Sequence, residues 1–359
     1  MTTFGVEEEF LLADPETGAT VPAADEVLKA AEELPADSAL HAELLQTQVE
    51  SATRPCLDVD DLHDELLAGR QRLAAAAAGC GLWLVPSGTA VLGGNPVVSE
   101  GGRFAEIADR YAEVVREYEA CGCHVHVAVP DDETAVAVVN HVRPWLPTLL
   151  ALSANSPIHQ GRDTGYASWR MLEQSRFPGA GVPPWFASAA DYADRLGRLV
   201  ECGVLADANQ TFWLARPSPT WPTVEFRVAD TAVDVSGALL QAVLSRALVA
   251  TALTDLAAGR EAARPDEQVL AAALWSAARY GLTGVAVHPV RERQVPATEL
   301  LDELIVRVAP ALATAGDLGA ARELFAGVLR GGTGAERQRA FRDPYDVVSF
   351  LAIGELDVD

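Results

Sequence analysis

The sequence predicts an α+β protein in which a mainly antiparallel β-sheet keeps one polar face and packs helices on the other. Three observations predict it. The segments FGVEEEFLL, CHVHVAV and TVEFRVAD alternate apolar and polar residues with a period of two, the mark of strands buried on one side. Other stretches, above all from Val235 onward, carry apolar residues at helical spacing. Strands and helices do not follow one another in a βαβ rhythm, which sets aside a doubly wound parallel sheet.

Taken in order, FGVEEEFLL sends Glu7 and Glu9 to one face and Val6, Glu8 and Phe10 to the other. PAADEVLKAAEEL reads as a solvated helix. LLQTQVESAT places Gln46, Gln48 and Glu50 on one face with Leu45, Thr47 and Val49 behind. Asp60 or Asp61 is expected to cap a helix running to about Gly79, and WLVPSG reads as a short strand. A helix is expected over 104–119. In CHVHVAV, Cys123, Val125, Val127 and Val129 form the greasy side, and His124, His126 and Ala128 the other. Helices are expected over 133–152 and 189–201, with FPGAGVPPWF as a rigid loop between them. TVEFRVAD sets Val224, Phe226 and Val228 against Glu225, Arg227 and Ala229. The remainder reads as helix with breaks near Gly259, Gly281, Pro296 and Gly331. No repeat or low-complexity linker divides the chain, so residues 1–359 are expected to form one domain whose helical part begins at about 235.

Composition narrows the chemistry. A chain of 359 residues that is 49% hydrophobic can bury a large core. No apolar run of about 18–20 residues is free of charge, so no membrane span is expected. Net charge is −24 with no basic stripe, which argues against nucleic acid or an anionic membrane as partner. The cysteines, Cys56, Cys80, Cys121, Cys123 and Cys202, are odd in number and lack CxxC spacing. They suit a reduced cytoplasm, as does an N-terminal stretch without the basic and apolar regions of a secretion signal. Lys29 is the only lysine and sits in a solvated helix. That removes a P-loop, for want of GxxxxGK[ST], and leaves any phosphate to metal ions and arginine.

The polar residues of the alternating segments form a constellation. Each pair alone is weak: successive acids are commonly solvated or arginine-paired, HVH is commonly a satisfied histidine pair, and ExR a cross-strand ion pair. Gathered on one face, Glu7, Glu9, Glu50, His124, His126, Glu225 and Arg227 would line a cavity. Carboxylates with histidine in an oxygen-rich setting suit Mg²⁺ or Mn²⁺. Such ions can neutralise a polyphosphate, to which Arg227 could add a bidentate contact. A metal-dependent hydrolase or oxygenase of cupin type built on HVH, and a non-catalytic binding protein, stay open on the residues alone. The first would need an all-β chain and a further histidine, and His141, His159 and His288 lie outside convincing strands.

The chain resembles the bacterial carboxylate–amine ligases of the second glutamate–cysteine ligase group, whose catalytic sheet is glutamine synthetase-like. The resemblance is carried by GVEEEF, LLQTQVESAT, CGCHVHVAV, LSANSPIHQGRDTGYASWRMLEQSRFPGAGVPPWF, LARPSPTWPTVEFRVADT, ARYGLTGV and GGTGAERQRAF, in the family's order. It implies an enzyme that uses ATP and divalent ions to activate a small acid as an acyl phosphate, which an amine captures as an amide, ATP passing to ADP and phosphate. In such families glutamate is typically joined to cysteine; a ligase of the same mechanism for another acid and amine is the alternative. By the resemblance Glu7, Glu9, Glu50, His124 and Glu225 are metal ligands, with Glu9 also placed in catalysis. His126 touches phosphate or metal, and Arg227 stabilises the transferring phosphoryl group. Arg170 and Arg176 are candidates for holding substrate carboxylate or phosphate. Arg216 and Trp213 could equally be structural. Two departures stand out: the turn reads SGTAV, with Ala90 and Val91 where many relatives carry His-Pro, and Glu43 stands in for a further acid near Gln46. Self-association, as a dimer, is the base-rate expectation.

Overall fold

The computed structural model of the chain describes residues 2–34 and 38–354. Its centre is a seven-stranded sheet, antiparallel in every pairing. In chain order the strands are β1 (Phe4–Ala13), β2 (Ala39–Ala42), β3 (Gln48–Ala52), β4 (Trp83–Val85) and β5 (Gly122–Ala128). A small hairpin, β6 (Ile158–His159) and β7 (Arg162–Asp163), precedes β8 (Ala215–Pro217) and β9 (Thr223–Asp230). A second hairpin, β10 (Val285–His288) and β11 (Arg293–Pro296), stands apart. Across the main sheet the order is β2-β3-β1-β5-β9-β8, with β4 pairing with Leu11–Ala13 of β1.

The apolar face is where the sequence puts it. Phe4, Val6, Cys123, Val125, Val127, Val224, Phe226 and Val228 join one buried cluster with helices Asp132–Val142, Leu146–Ser153, Val235–Ala257, Ala297–Ala315 and Leu318–Gly331. Burying one such Val or Phe side chain is worth about 1.5–3 kcal/mol relative to leaving it in water. A one-residue slip of any strand would expose its whole apolar set, so the faces are strongly specified. Phe10, Leu12, Val49 and Leu84 pack separately against helices Ala24–Glu32 and Val59–Gly79.

Differences from the sequence reading have local causes. The helix expected over 133–152 is interrupted by a 3₁₀ turn, Arg143–Trp145, because Pro144 has no N–H to donate. The one expected over 104–119 becomes Gly102–Tyr111 and Glu113–Arg116, broken at Ala112 with φ of 48°. Asp58, not Asp60 or Asp61, caps the helix Val59–Gly79 by accepting from the Asp61 N–H. The C-terminal third is helical except for the β10–β11 hairpin, which the short segments VAVH and RQVP do not announce. A bulge in β9 changes one side-chain direction. Val125 pairs with Phe226 and Cys123 with Ala229, so residues 227 and 228 oppose the single residue His124. The parity of the strand flips there, and Ala229, expected on the polar face, lies in the core. The helix Val235–Ala257 is long and apolar enough to cross a membrane, but most of it is buried inside the protein, and Arg246 interrupts it.

Candidate active site

Register turns the polar faces of neighbouring strands into one belt. Glu9 stands opposite Glu50, Glu7 opposite His124, His126 opposite Glu225, and Glu225 opposite Arg216. Directly opposed side chains start roughly 5 Å apart at Cβ, close enough to share a ligand.

His124 is the hub of the belt. Its Nδ1 is 3.5 Å from Glu7 Oε2 and its Nε2 3.7 Å from Glu9 Oε1. The ring is buried, and neither nitrogen makes a hydrogen bond. Two groups draw on it, Glu7–His124–Glu225 and Glu9–Glu50–His124, and within each group the ligand atoms lie within 4.8 Å of one another. A buried imidazole with both nitrogens unmatched, ringed by carboxylate oxygens, fits a pair of hard divalent cations.

The charges are strongly perturbed. Burial raises Glu50, and the charges of Glu43, Glu7 and Glu9 push it further, well above the usual carboxylate range. Burial also raises Glu9, against the pull of Arg170, the Gly122 N–H at 2.5 Å and Arg227. Glu43 is pushed up to about 7 by burial and then by the charge of Glu9. Burial and Arg227 lower His124 to about 4, so the imidazole is neutral and free to ligate. Glu7 goes the other way: burial works against its ionisation, but contacts with His124 and His126 outweigh it and hold it low. Glu225 is likewise held low against burial by Arg227 and Arg216. Acids that resist ionisation side by side are acids waiting for a positive ion.

The arginines divide by how occupied they are. Arg216 is saturated: Nε and Nη2 fork onto Glu225 at 2.8 and 3.2 Å, and Nη1 donates to the carbonyls of Asn209 and Thr211. Arg227 Nη1 binds Glu225 Oε1 at 2.5 Å, leaving its buried Nε without a partner. Arg170, also buried, donates from Nη2 to the Arg227 carbonyl at 3.3 Å, while its Nε and Nη1 have no hydrogen-bond partner. A cavity of about 230 Å³ lies among them, lined by Glu9, Glu43, His124, Arg170, Arg216 and Arg227. At the other end of the belt a cavity of about 320 Å³ is lined by Glu7, His126 and His41, with Trp221.

The structure thus gathers Glu7, Glu9, Glu50, His124, His126, Glu225, Arg227 and Arg170. His126 sits at the outer end, its Nδ1 2.9 Å from Thr223 Oγ1 and its Nε2 3.3 Å from Glu7 Oε1. Arg176 is not brought in. It is partly exposed, pairs with Glu173 one turn back and lines neither cavity. Gln46 lies in a turn outside β3, its Oε1 accepting from the Asp25 N–H, so the face expected for LLQTQVESAT holds only from Gln48. Trp213 is structural, packed against Phe186 and Tyr192. Ala90 and Val91 are core residues beside Leu11 and Val347, so that departure leaves the cavities untouched. The role of Arg216 on Glu225 was open to sequence reading: folding ARPSPTWPTVE as a hairpin sets the two side by side. Glu43 reaches the belt through the bend after β2, for which the sequence carries no plain signal.

Comparison with known proteins follows the same lines. The family described as Glutamate-cysteine ligase family 2 (GCS2) matches residues 3–347. A Saccharopolyspora erythraea protein named "Putative glutamate--cysteine ligase 2-2" is 54% identical over 357 residues, 98% of this chain and 91% of its own. A Nocardia farcinica protein of the same naming, 2-1, is 45% identical over 353 residues, again 98% and 91%. Among solved structures, the glutamate–cysteine ligase of Francisella tularensis in complex with AMP superposes with a TM-score of 0.70 at 14% identity, covering 97% of this chain and 87% of that one. The bifunctional glutathione synthetase of Pasteurella multocida gives 0.69 at 14%, covering 98% and 52%. At that identity the two structures speak for the fold alone.

Proposed function

Because the chain belongs to glutamate–cysteine ligase family 2, we propose that it is an ATP-dependent carboxylate–amine ligase joining the γ-carboxyl of glutamate to the amine of cysteine. The observation that carries this reading is the convergence of Glu7, Glu9, Glu50, His124 and Glu225 with Arg227 and Arg170 on one buried face. The two carboxylate groups around His124 are the candidate holders of Mg²⁺ or Mn²⁺, which when bound neutralise charge on the ATP phosphates and on the incoming acid.

The chain's own residues supply orientation and fixed charge. Arg227 has a buried donor to offer a phosphoryl oxygen, and Glu225 with Arg216 behind it holds the guanidinium still. Arg170 offers its Nε, which has no partner, and its Nη1, which is paired only loosely with Asp230 at 3.9 Å, to a carboxylate or phosphate. In the acyl phosphate the carboxyl oxygen is phosphorylated and ADP departs. The amine then attacks the acyl carbon, phosphate leaves, and the nitrogen's proton must be taken up. Glu43, which lines the cavity and is raised to about 7, is our candidate to take it. The whole chain acts as one catalytic unit, with the helices from about 235 buttressing the sheet. We propose that it works in a reduced cytoplasm, a reading the five free cysteines support, and that it self-associates as a dimer, a proposal that rests on base rate alone.

The test is ADP and phosphate release by the purified chain against a panel of amino acids and amines, with mass spectrometry of the product. Glutamate and cysteine together are expected to give γ-glutamylcysteine. Turnover only with another pair would assign the chain a different substrate on the same mechanism, and no ATP-dependent product with any pair would overturn the reading.

A further inference from the structure

The geometry points to Arg70 as a positioning residue for the proposed metal belt: from the back of the sheet it locks the strand carrying Glu7 and Glu9 to the corner that follows the strand carrying Glu225 and Arg227. The inference rests on the metal reading above and concerns a residue on the opposite face from the cavities.

Glu8 lies between the two candidate ligands of β1 but projects into the protein's interior, where Arg70 meets it fork to fork. Nε donates to Oε2 at 3.0 Å and Nη2 to Oε1 at 2.6 Å. The same guanidinium donates from Nη2 to the Ala232 carbonyl at 2.7 Å and from Nη1 to the Val233 carbonyl at 3.1 Å. Those carbonyls come two and three residues after β9 ends at Asp230. Glu8 is 2% exposed and Arg70 4%, and the guanidinium also lies 5.4 Å from the Phe10 ring centroid. One planar group therefore joins β1 to the exit of β9, two strands away across β5.

The helix that delivers Arg70 is seated at the same point. At the preceding residue, Gly69, a Cβ would stand 2.3 Å from Ser51 Oγ, so the absent side chain lets the helix lie directly on β3. Ser51 is the cross-strand partner of Glu8 and the chain neighbour of Glu50. Helix Val59–Gly79 thus touches the sheet immediately behind the three acids Glu7, Glu9 and Glu50.

Stability alone does not explain the pair, because a buried ion pair is commonly matched or bettered by apolar side chains of similar volume. What apolar groups cannot reproduce is direction. A guanidinium fixed by four hydrogen bonds holds the roll of β1 about its axis, and any roll would swing Glu7 and Glu9 out of the belt together. Groups that orient metal ligands from behind commonly cost 10–100-fold in metal affinity when removed.

The experiment is calorimetric titration of the metal-free full chain with MgCl₂, alongside thermal unfolding, for wild type, Arg70→Lys and the double variant Glu8→Met/Arg70→Leu. The double variant removes both charges and is expected to fold, yet to bind Mg²⁺ about tenfold or more weaker. Arg70→Lys, which keeps the charge and loses the fork, is expected to weaken binding as well. Wild-type affinity in a folded double variant would overturn the inference. Should the double variant not fold, Arg70→Lys decides: folded with wild-type affinity, it overturns the inference by itself. Absence of Mg²⁺ binding by wild type removes the metal reading and this inference with it, which is distinguishable from a failure of Arg70 alone.

Discussion

Three consecutive glutamates meet three different fates, and each fate is set by which groups face it. Glu7 is held low by two imidazoles, Glu8 is paired fork to fork with Arg70, and Glu9 is raised by burial. Replacing Glu9 by Gln keeps the size and removes a ligand charge. It is expected to abolish ADP release in the coupled assay while leaving the unfolding temperature of the metal-free protein unchanged or higher, because one repulsion is gone. Arg227→Lys is expected to lower kcat at least about tenfold, since a compact ammonium cannot span Glu225 and a phosphoryl oxygen as a planar fork does. The contribution of the raised acids to the pH dependence of the metal-free protein has a definite sign. Glu43 rises from an ordinary 4.5 to about 7 on folding, and Glu9 and Glu50 rise too. Their contribution to stability is full below the ordinary glutamate value and is lost as pH climbs through the folded values. His124, lowered from 6.5 to about 4, works in the opposite sense, so the acids' share is read against Glu43→Gln. Between about pH 4.5 and 7 the denaturant midpoint of metal-free wild type should fall relative to that variant, and added Mg²⁺ should restore most of the difference at the upper end. That Glu8, on the apolar face, would meet an arginine or reach the sheet's edge follows from its position in the strand; that it meets Arg70, 62 residues away, does not.

At the scale of elements, alternation decided faces and tertiary contact decided ends. β1, β5 and β9 present the apolar sets read from the sequence, and helix Ala189–Glu201 occupies the expected span. Boundaries moved where a single residue intervened: Pro144 broke one helix and the bulge after Phe226 turned Ala229 inward. Period-two reasoning cannot see a bulge, because the extra residue is licensed by the partner strand. The GGTG segment shows what close approach demands. A Cβ at Gly334 would stand 2.2 Å from Asn155 Oδ1 and 2.7 Å from its Cβ. Asn155 is buried and ties Pro86 to Thr231 through its Nδ2, while its backbone N–H serves Asp230. Gly334→Ala is expected to destabilise the protein by about 1–3 kcal/mol, read as a drop in denaturant midpoint at unchanged slope.

For the molecule as a whole, 51 acidic residues against 27 basic ones make self-repulsion a standing cost of compactness. Raising NaCl from about 0.01 to 0.15 M shortens the Debye length from about 30 to 8 Å and is expected to raise the unfolding temperature, measurable by scanning calorimetry. What the amino-acid sequence determined by itself was everything that depends on neighbours along the chain: the α+β class, the greasy and polar sides of each strand, the absence of a lysine for phosphate, and the acids, imidazoles and guanidinium that would share a face. What only the tertiary structure decided was everything that depends on neighbours across space. Register put Glu9 opposite Glu50 and Glu7 opposite His124, packing seated Arg70 behind them, Arg170 was drawn into the cavity, and Arg176 was left outside it beside Glu173. The physical reason is range: side-chain direction within a strand is a local property of the backbone, whereas the partner a buried charge meets is chosen by residues tens to hundreds of positions away.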